Sequence, residues 1–186
     1  GSFAFSYCKS LTEMTIPDSV TEIGNNAFSG CTSLSKVKLP NSLTKIGDYT
    51  FYYCKNLTEI TIPDSVTEIG NSAFDRCTSL SKVQLSNGLT KIGDSAFRDC
   101  ENLTEITIPD SVTEIGDYAF YCCTSLSKVK LSNGLTKVGD YAFGRCENLA
   151  EITIPDGVTE IGNYAFDCCT SLSKVKLPNS LTKIGN

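Results

Sequence analysis

The sequence has no histidine and no tryptophan. Without histidine, Ser-His-Asp triads and imidazole metal sites are excluded. No apolar run approaches the roughly 20 residues of a membrane helix, so membrane insertion is not expected. Neither GxGxxG nor GxxxxGK[ST] occurs, so no phosphate cradle is visible and no cofactor is expected. No charged-then-apolar leader opens the chain, and a secretion signal is expected to lie outside these residues if the natural protein has one. Positive charge is the minority, with 16 Lys and Arg against 21 Asp and Glu and a net charge of −5. That balance argues against nucleic acid or an anionic membrane surface as the main partner, since both need clustered Lys and Arg.

What the sequence does have is a period. Cys8, Cys31, Cys54, Cys77, Cys100, Cys123, Cys146 and Cys169 are each 23 residues apart. The unit reads L-[TS]-[EK]-[IVM]-x-[IL]-[PS]-[DN]-x-[VL]-T-[EK]-[IV]-G-x-x-A-F-x-x-C-x-x. Residues 1–186 are accordingly predicted to form a single solenoid of eight 23-residue repeats, with no linker and no evident capping unit. Within a unit, "LTEITI" alternates as a strand does, and Pro or Ser followed by Asp or Asn turns the chain. "VTEI" predicts a second, shorter strand, and the Gly after it is expected at positive φ. "AF" with the next Cys predicts one helical or 3₁₀ turn that drives Phe inward. Stacked at about 4.8 Å per coil, eight units span roughly 38 Å.

Charge alternates along the pile. The strand column reads Glu13, Lys36, Glu59, Lys82, Glu105, Lys128, Glu151, Lys174. A second column runs Glu22, Lys45, Glu68, Lys91, Glu114, Lys137, Glu160, Lys183. Eight stacked glutamates would repel, whereas alternation sets each carboxylate between ammonium groups. The true repeat is therefore 46 residues, an acidic coil and a basic one, four times over. So even a ladder offers no concentrated field of the kind an active site needs, and no enzymatic activity is expected.

The Cys column is predicted to be core, because free Cys is among the most buried residue types. Cys122 and Cys168 lie outside it and are about 10 Å apart, too far to pair. Two surfaces are candidates for binding protein. Lys38, Gln84, Lys130 and Lys176 line the outer strand face, the usual binding face of repeat arrays. A variable strip around "AF" carries Tyr52, Tyr53, Arg76, Tyr118, Tyr121, Tyr141, Arg145 and Tyr164, residue types enriched in binding hot spots. Rim tyrosines packed against the core are the alternative.

The motif L-x-x-I-x-[IL]-P-x-x-[VL]-T-x-I-G-x-x-A-F-x-x-C-x-x resembles the BspA-like leucine-rich repeat, the Treponema pallidum type with 23-residue units, over the whole chain. The resemblance implies a right-handed leucine-rich-repeat solenoid with a parallel sheet on one face. It also implies a surface or secreted protein of bacteria or protists, often adhering to host, matrix or cell-surface proteins. The near-identical units, strict Glu/Lys alternation and absence of caps depart from the family pattern. They point to a recently duplicated array, a designed scaffold or a self-assembling one. The acidic first coil and basic last coil suit head-to-tail stacking, unless the sequence is an excerpt of a longer array. Stacking is expected to give a light-scattering mass above monomer at low salt that falls as salt rises; a monomer at every salt concentration would remove the idea.

Overall fold

The structure, a computed structural model, describes residues 1–186. The chain winds into stacked coils, each with three sides. Eight three-residue strands form the first side: β1 (Glu13–Thr15), β2 (Lys36–Lys38), β4 (Glu59–Thr61), β6 (Lys82–Gln84), β8 (Glu105–Thr107), β10 (Lys128–Lys130), β12 (Glu151–Thr153) and β14 (Lys174–Lys176). Seven two-residue strands form the second: β3 (Lys45–Ile46), β5 (Glu68–Ile69), β7 (Lys91–Ile92), β9 (Glu114–Ile115), β11 (Lys137–Val138), β13 (Glu160–Ile161) and β15 (Lys183–Ile184). Turns around the Ala-Phe pair make the third.

All pairing is parallel and in phase with the repeat, so Glu59 faces Lys82, Glu105 faces Lys128, and Glu68 lies between Lys45 and Lys91. The two strand sides nevertheless differ. The short strands form one continuous seven-stranded sheet. The longer strands form four separate pairs, β1–β2, β4–β6, β8–β10 and β12–β14. An even ladder along the first side is therefore corrected: it closes from each acidic coil to the basic coil after it and opens at the next step. Successive steps are not equivalent in sequence. Acidic coils point Ile60 and Ile62 inward, or their counterparts, whereas basic coils point Val83 and Leu85.

The third side does more than turn the chain. Tyr49, Phe51 and Tyr53 donate their backbone N–H groups to the carbonyls of Asn71, Ala73 and Asp75 in the next coil. Between them, Tyr52 and Cys54 donate back to Tyr49 and Phe51 within the turn. Every second donor thus points along the stack, which breaks up consecutive i→i+3 bonds, and a run of turns replaces the expected 3₁₀ turn. The alternation needs a left-handed residue at two places per coil, Tyr49 (φ 55°) and Tyr53 (φ 60°) being one such pair. Each costs on the order of 1–2 kcal/mol for a residue with a Cβ. Only 13 of 102 backbone hydrogen bonds lie within strands, so turns and connections carry most of the pairing.

The glycine that closes each second strand is not at positive φ, as Gly93 and Gly116 show. Its reason is close approach. A Cβ on Gly93 would lie 2.7 Å from Asn71 Oδ1, and one on Gly116 2.5 Å from Asp94 Oδ1. Those oxygens belong to a side-chain ladder in which each Asx accepts from the backbone N–H of the Asx one coil on. Asn71 accepts from Asp94 at 2.9 Å and Asp94 from Asp117 at 3.0 Å.

Inside, one apolar cluster runs the length of the pile. Phe28, Phe51, Phe74, Phe97, Phe120 and Phe143 stack nearly parallel with centroids 5.2–5.5 Å apart. Beside them the cysteines have a role beyond filling space. Cys77 Sγ donates to the Phe51 carbonyl at 3.1 Å and Cys100 Sγ to that of Phe74 at 3.3 Å. Burial pushes these thiols well above their usual range, so they stay protonated as donors. All ten cysteines are free.

Phe97→Ala, in the middle of the stack, is expected to cost about 3–5 kcal/mol in denaturant unfolding. Phe5→Ala, at a ring 43% exposed, is expected to cost less than about 2 kcal/mol. Equal costs would mean that the ring stack does not organise the core.

Candidate protein-binding surfaces

The first surface is the outer face of the three-residue strands. Alternation turns the middle residue of each strand inward and exposes the two flanking it; the middle residue is buried in β2, β4, β8 and β12, half-buried in β1, β6 and β10, and exposed in β14. Lys38, Gln84, Lys130 and Lys176 are all exposed here, on the same face as Glu13, Lys36, Glu59, Lys82, Glu105, Lys128, Glu151 and Lys174. Of the four in-register Glu/Lys pairs, Glu151 and Lys174 close to an ion pair, at 3.4 Å. More pairs form on the second side, where Lys45 meets Glu68 at 3.0 Å and Glu160 sits between Lys183 at 2.9 Å and Lys137 at 3.5 Å. A hydrogen bond from Lys183, with the charge of Lys137, holds the Glu160 carboxyl below its usual range. Such exposed pairs are screened by water; they favour one register but do not hold the fold.

Where the first side opens, grooves form. One of about 380 Å³ lies between β2 and β4, lined by Lys36, Lys38, Glu59, Pro63, Lys82 and Gln84. Its counterpart of about 560 Å³ lies between β10 and β12, lined by Lys130, Asn133, Glu151, Thr153, Lys174 and Lys176. Both have apolar floors, Val37 with Ile60 and Val129 with Ile152.

The second surface is the turn side, and the structure divides it into three patches. Tyr52 stacks on Tyr53 at 6.0 Å and meets Tyr49 edge-on at 5.9 Å. Lys55 Nζ sits 4.5 Å above the Tyr53 ring; its hydrogen bond and charge lower the phenol's pKa. Farther along, Tyr118, Tyr141 and Tyr164 form a column with centroids 4.7 and 4.8 Å apart. Tyr121 lies edge-on to both Tyr118 and Tyr141. Removal from water, with Tyr118 and Tyr164 on either side, pushes the Tyr141 phenol up. Arg145 is exposed one coil beyond Tyr121, at a left-handed position. These variable residues coincide with the left-handed positions of the turns: Tyr53, Arg76, Tyr118, Tyr141, Arg145 and Tyr164 all have φ between 53° and 61°.

Between the tyrosine patches lies a charged cluster that sequence reasoning missed. Asp99 Oδ2 accepts ion pairs from Arg76 at 3.6 Å and Arg98 at 3.7 Å, so Arg76 is engaged within the chain. Arg98 also covers the Tyr121 ring at 5.7 Å. Asp75 is buried beside them, and its Oδ1 has no partner. The signal was available: Asp75 and Arg98 share a column that holds serine, tyrosine, glycine and one further aspartate elsewhere, and Asp99 is the one acidic residue in the next column.

Comparison with known proteins places this geometry. A family model for the BspA-type leucine-rich-repeat region matches six copies, over residues 1–124 and 90–186. The chain belongs to the BspA-type leucine-rich-repeat family. A leucine-rich-repeat protein of T. pallidum is 33% identical with a TM-score of 0.82, over 88% of this chain and 78% of that one. One from Eubacterium ventriosum is 31% identical with a TM-score of 0.83, over 95% of this chain and 47% of that one. A leucine-rich cell surface protein of Faecalibacterium prausnitzii is 30% identical with a TM-score of 0.59, over 98% and 61%. The BspA-type chain thus spans between about half and four fifths of these structures' lengths. No curated protein matches it.

Burial, with Asp99 adding to it against the nearby Arg98 and Arg76, pushes the Asp75 carboxyl up to about 6. An unfolded Asp titrates near 3.9, so between about pH 4 and 6 the folded chain holds a proton that the unfolded chain has released. Stability falls as pH rises through that window. Asp75→Asn is expected to raise the thermal midpoint at pH 7 by ~2–4 °C, about 1 kcal/mol, and to leave it unchanged at pH 4. Thermal scans at the two pH values check this.

Proposed function

We propose that this BspA-type chain is a non-enzymatic protein-binding domain of a cell-surface or secreted adhesin, and that the tyrosine column is its docking surface. The observation that carries the reading is the Tyr118–Tyr141–Tyr164 stack with Tyr121 against its edge. It is a stacked aromatic patch confined to three successive coils, in a column that holds Asn26, Ser72 and Ser95 elsewhere. A specific partner needs such irregularity, since a uniform rod offers many equal registers. Tyrosine supplies large contact area at low entropy cost, and stacking already fixes these rings. Tyr52 and Tyr53, with Lys55, form a smaller patch of the same kind. The F. prausnitzii neighbour, named a cell surface protein, supports the location. Lys38, Gln84, Lys130 and Lys176 stand exposed on the strand side, apart from the tyrosines.

A scaffold that stacks head to tail is the second reading. In these 186 residues taken alone, Phe3 and Phe5 are bare on the first coil, and Val175, Leu177 and Ile184 on the last.

The test is surface plasmon resonance against a panel of immobilised extracellular-matrix proteins, comparing the wild-type chain with Tyr118→Ser/Tyr141→Ser/Tyr164→Ser. Loss of about 30-fold or more in affinity for a panel member is expected, the size of a hot spot worth ~2 kcal/mol. Unchanged binding by the variant, or no binding of the wild type to any member, overturns the docking assignment.

A further inference from the structure

The chain's net charge is −5, but its sign is not uniform. On the three-residue strands the exposed charges are seven lysines, Lys36, Lys38, Lys82, Lys128, Lys130, Lys174 and Lys176, against four glutamates. The strands of this side therefore carry +3 and the remainder of the molecule −8, with aspartates such as Asp110, beside Lys130, bordering the strands. The asymmetry arises because acidic coils place one charge on the strand, as Glu59 with Thr61, while three of the four basic coils place two, as Lys36 with Lys38. Two residues along a strand separate such a pair by roughly 7 Å, and basic coils recur about every 10 Å along the stack.

From this arrangement we infer that the strand side is a track for a linear anionic polysaccharide, one bearing sulfate or carboxylate groups at regular intervals. Charge complementarity gives the sign of the ligand, and the lattice gives its form. Lysine rows that return every two coils match a polymer whose charges also repeat, whereas a folded protein presents an irregular patch. The side chains narrow the class further. The strands of this side hold no arginine and no aromatic residue, so they offer neither a guanidinium fork nor a platform for base stacking. Lysine acts on sulfate or carboxylate as a point charge, which tolerates sliding along the chain. Between the rows stand the exposed side chains of Thr61, Thr107 and Thr153, and Gln84 stands within one beside Lys82, hydroxyl or amide groups suited to sugar hydroxyls.

The openings in the sheet give the track its seats. In the two grooves a basic strand and the next basic strand flank a single acidic one: Lys36, Lys38 and Lys82 around Glu59, and Lys130, Lys174 and Lys176 around Glu151. Each seat is shallow and polar-walled, with an apolar floor of Val and Ile on which a sugar ring's C–H face can rest. The seats repeat after four coils, so one chain of sufficient length bridges both, and linking two weak sites raises the apparent affinity of the whole. This surface lies on a different side of the coil from the tyrosine column, and the inference stands without it.

The experiment uses fluorescence anisotropy with labelled heparin as the probe, at about 50 mM and about 200 mM salt. The wild-type chain is expected to bind heparin with an affinity that falls about tenfold or more between those conditions, because bound counterions are released. Lys38→Gln/Lys130→Gln/Lys176→Gln is expected to weaken binding at least about tenfold. Lys45→Gln/Lys91→Gln/Lys137→Gln makes the same change in net charge on the second side and is expected to bind as wild type does. Polyglutamate and an oligothymidylate of matched charge are the competitor arms. No heparin binding by the wild type, or equal loss in both variants, overturns the track. Competitor binding as tight as heparin overturns the polysaccharide and assigns the surface to acidic peptide or single-stranded nucleic acid.

Discussion

No coil of this solenoid can satisfy its own backbone. A chain that turns three times in 23 residues has too few internal partners for its peptide groups, and buried unpaired groups are costly. Its donors and acceptors must go to the coils on either side, in phase, and that single demand explains the period. It explains the side-chain relays too. Asx oxygens cap the next coil's backbone N–H, thiols reach a phenylalanine carbonyl of the coil before, and serine hydroxyls bridge the same steps. The relays also compensate one another. Ser65 donates to the Leu43 carbonyl one coil back, and where glycine replaces that serine at residue 88, Ser86 donates to the Val66 carbonyl instead. Substitution is tolerated where the hydrogen bond can be rebuilt from two positions away.

Electrostatics acts on this frame as a selector of register. A slip by one coil would set Glu68 opposite Glu rather than between Lys45 and Lys91, a destabilising like-charge contact at every step. The energy of each favourable pair is small, but the penalty for error repeats along the stack. The same alternation makes two kinds of step, and the first strand side pairs at one and parts at the other. A device that fixes register thus also creates the grooves in which long basic side chains gather.

Much of this was legible in the sequence, because a repeat writes its packing eight times. The Phe and Cys columns declare the core, and the Glu/Lys columns declare the neighbours of each strand. Other features were hidden for specific physical reasons. Gly93 reads as a turn residue, yet its space is taken by Asn71 Oδ1 from the coil before, a contact between coils that no local pattern reveals. Tyr118 and Tyr141 show as variable positions, but their left-handed backbone is imposed by the hydrogen bonds of neighbouring coils, against their own preference. The Asp75–Arg98–Asp99 cluster was missed because Asp75 and the Arg98-Asp99 pair lie in different coils, and only stacking brings them together. Net charge misled most, since an average over the surface concealed a side of opposite sign.

The alternating turns on the third side have an electrical corollary. Their outward N–H groups, such as those of Phe51, Phe74 and Phe97, all aim at later coils, and the carbonyls of Ala73, Ala96 and Ala119 that receive them all aim at earlier ones. Peptide dipoles in ordinary sheets largely cancel. Here three per coil add head to tail, as they do in an α-helix, though nothing helical is present. The strand sides run the other way, with the N–H groups of Thr67, Gly70 and Ser81 aimed at carbonyls of the coil before, so this polarity belongs to the turn side and not to the whole cylinder. An anion moving along the turn side would meet aligned N–H groups, whereas one on the opposite sides would meet the reverse field.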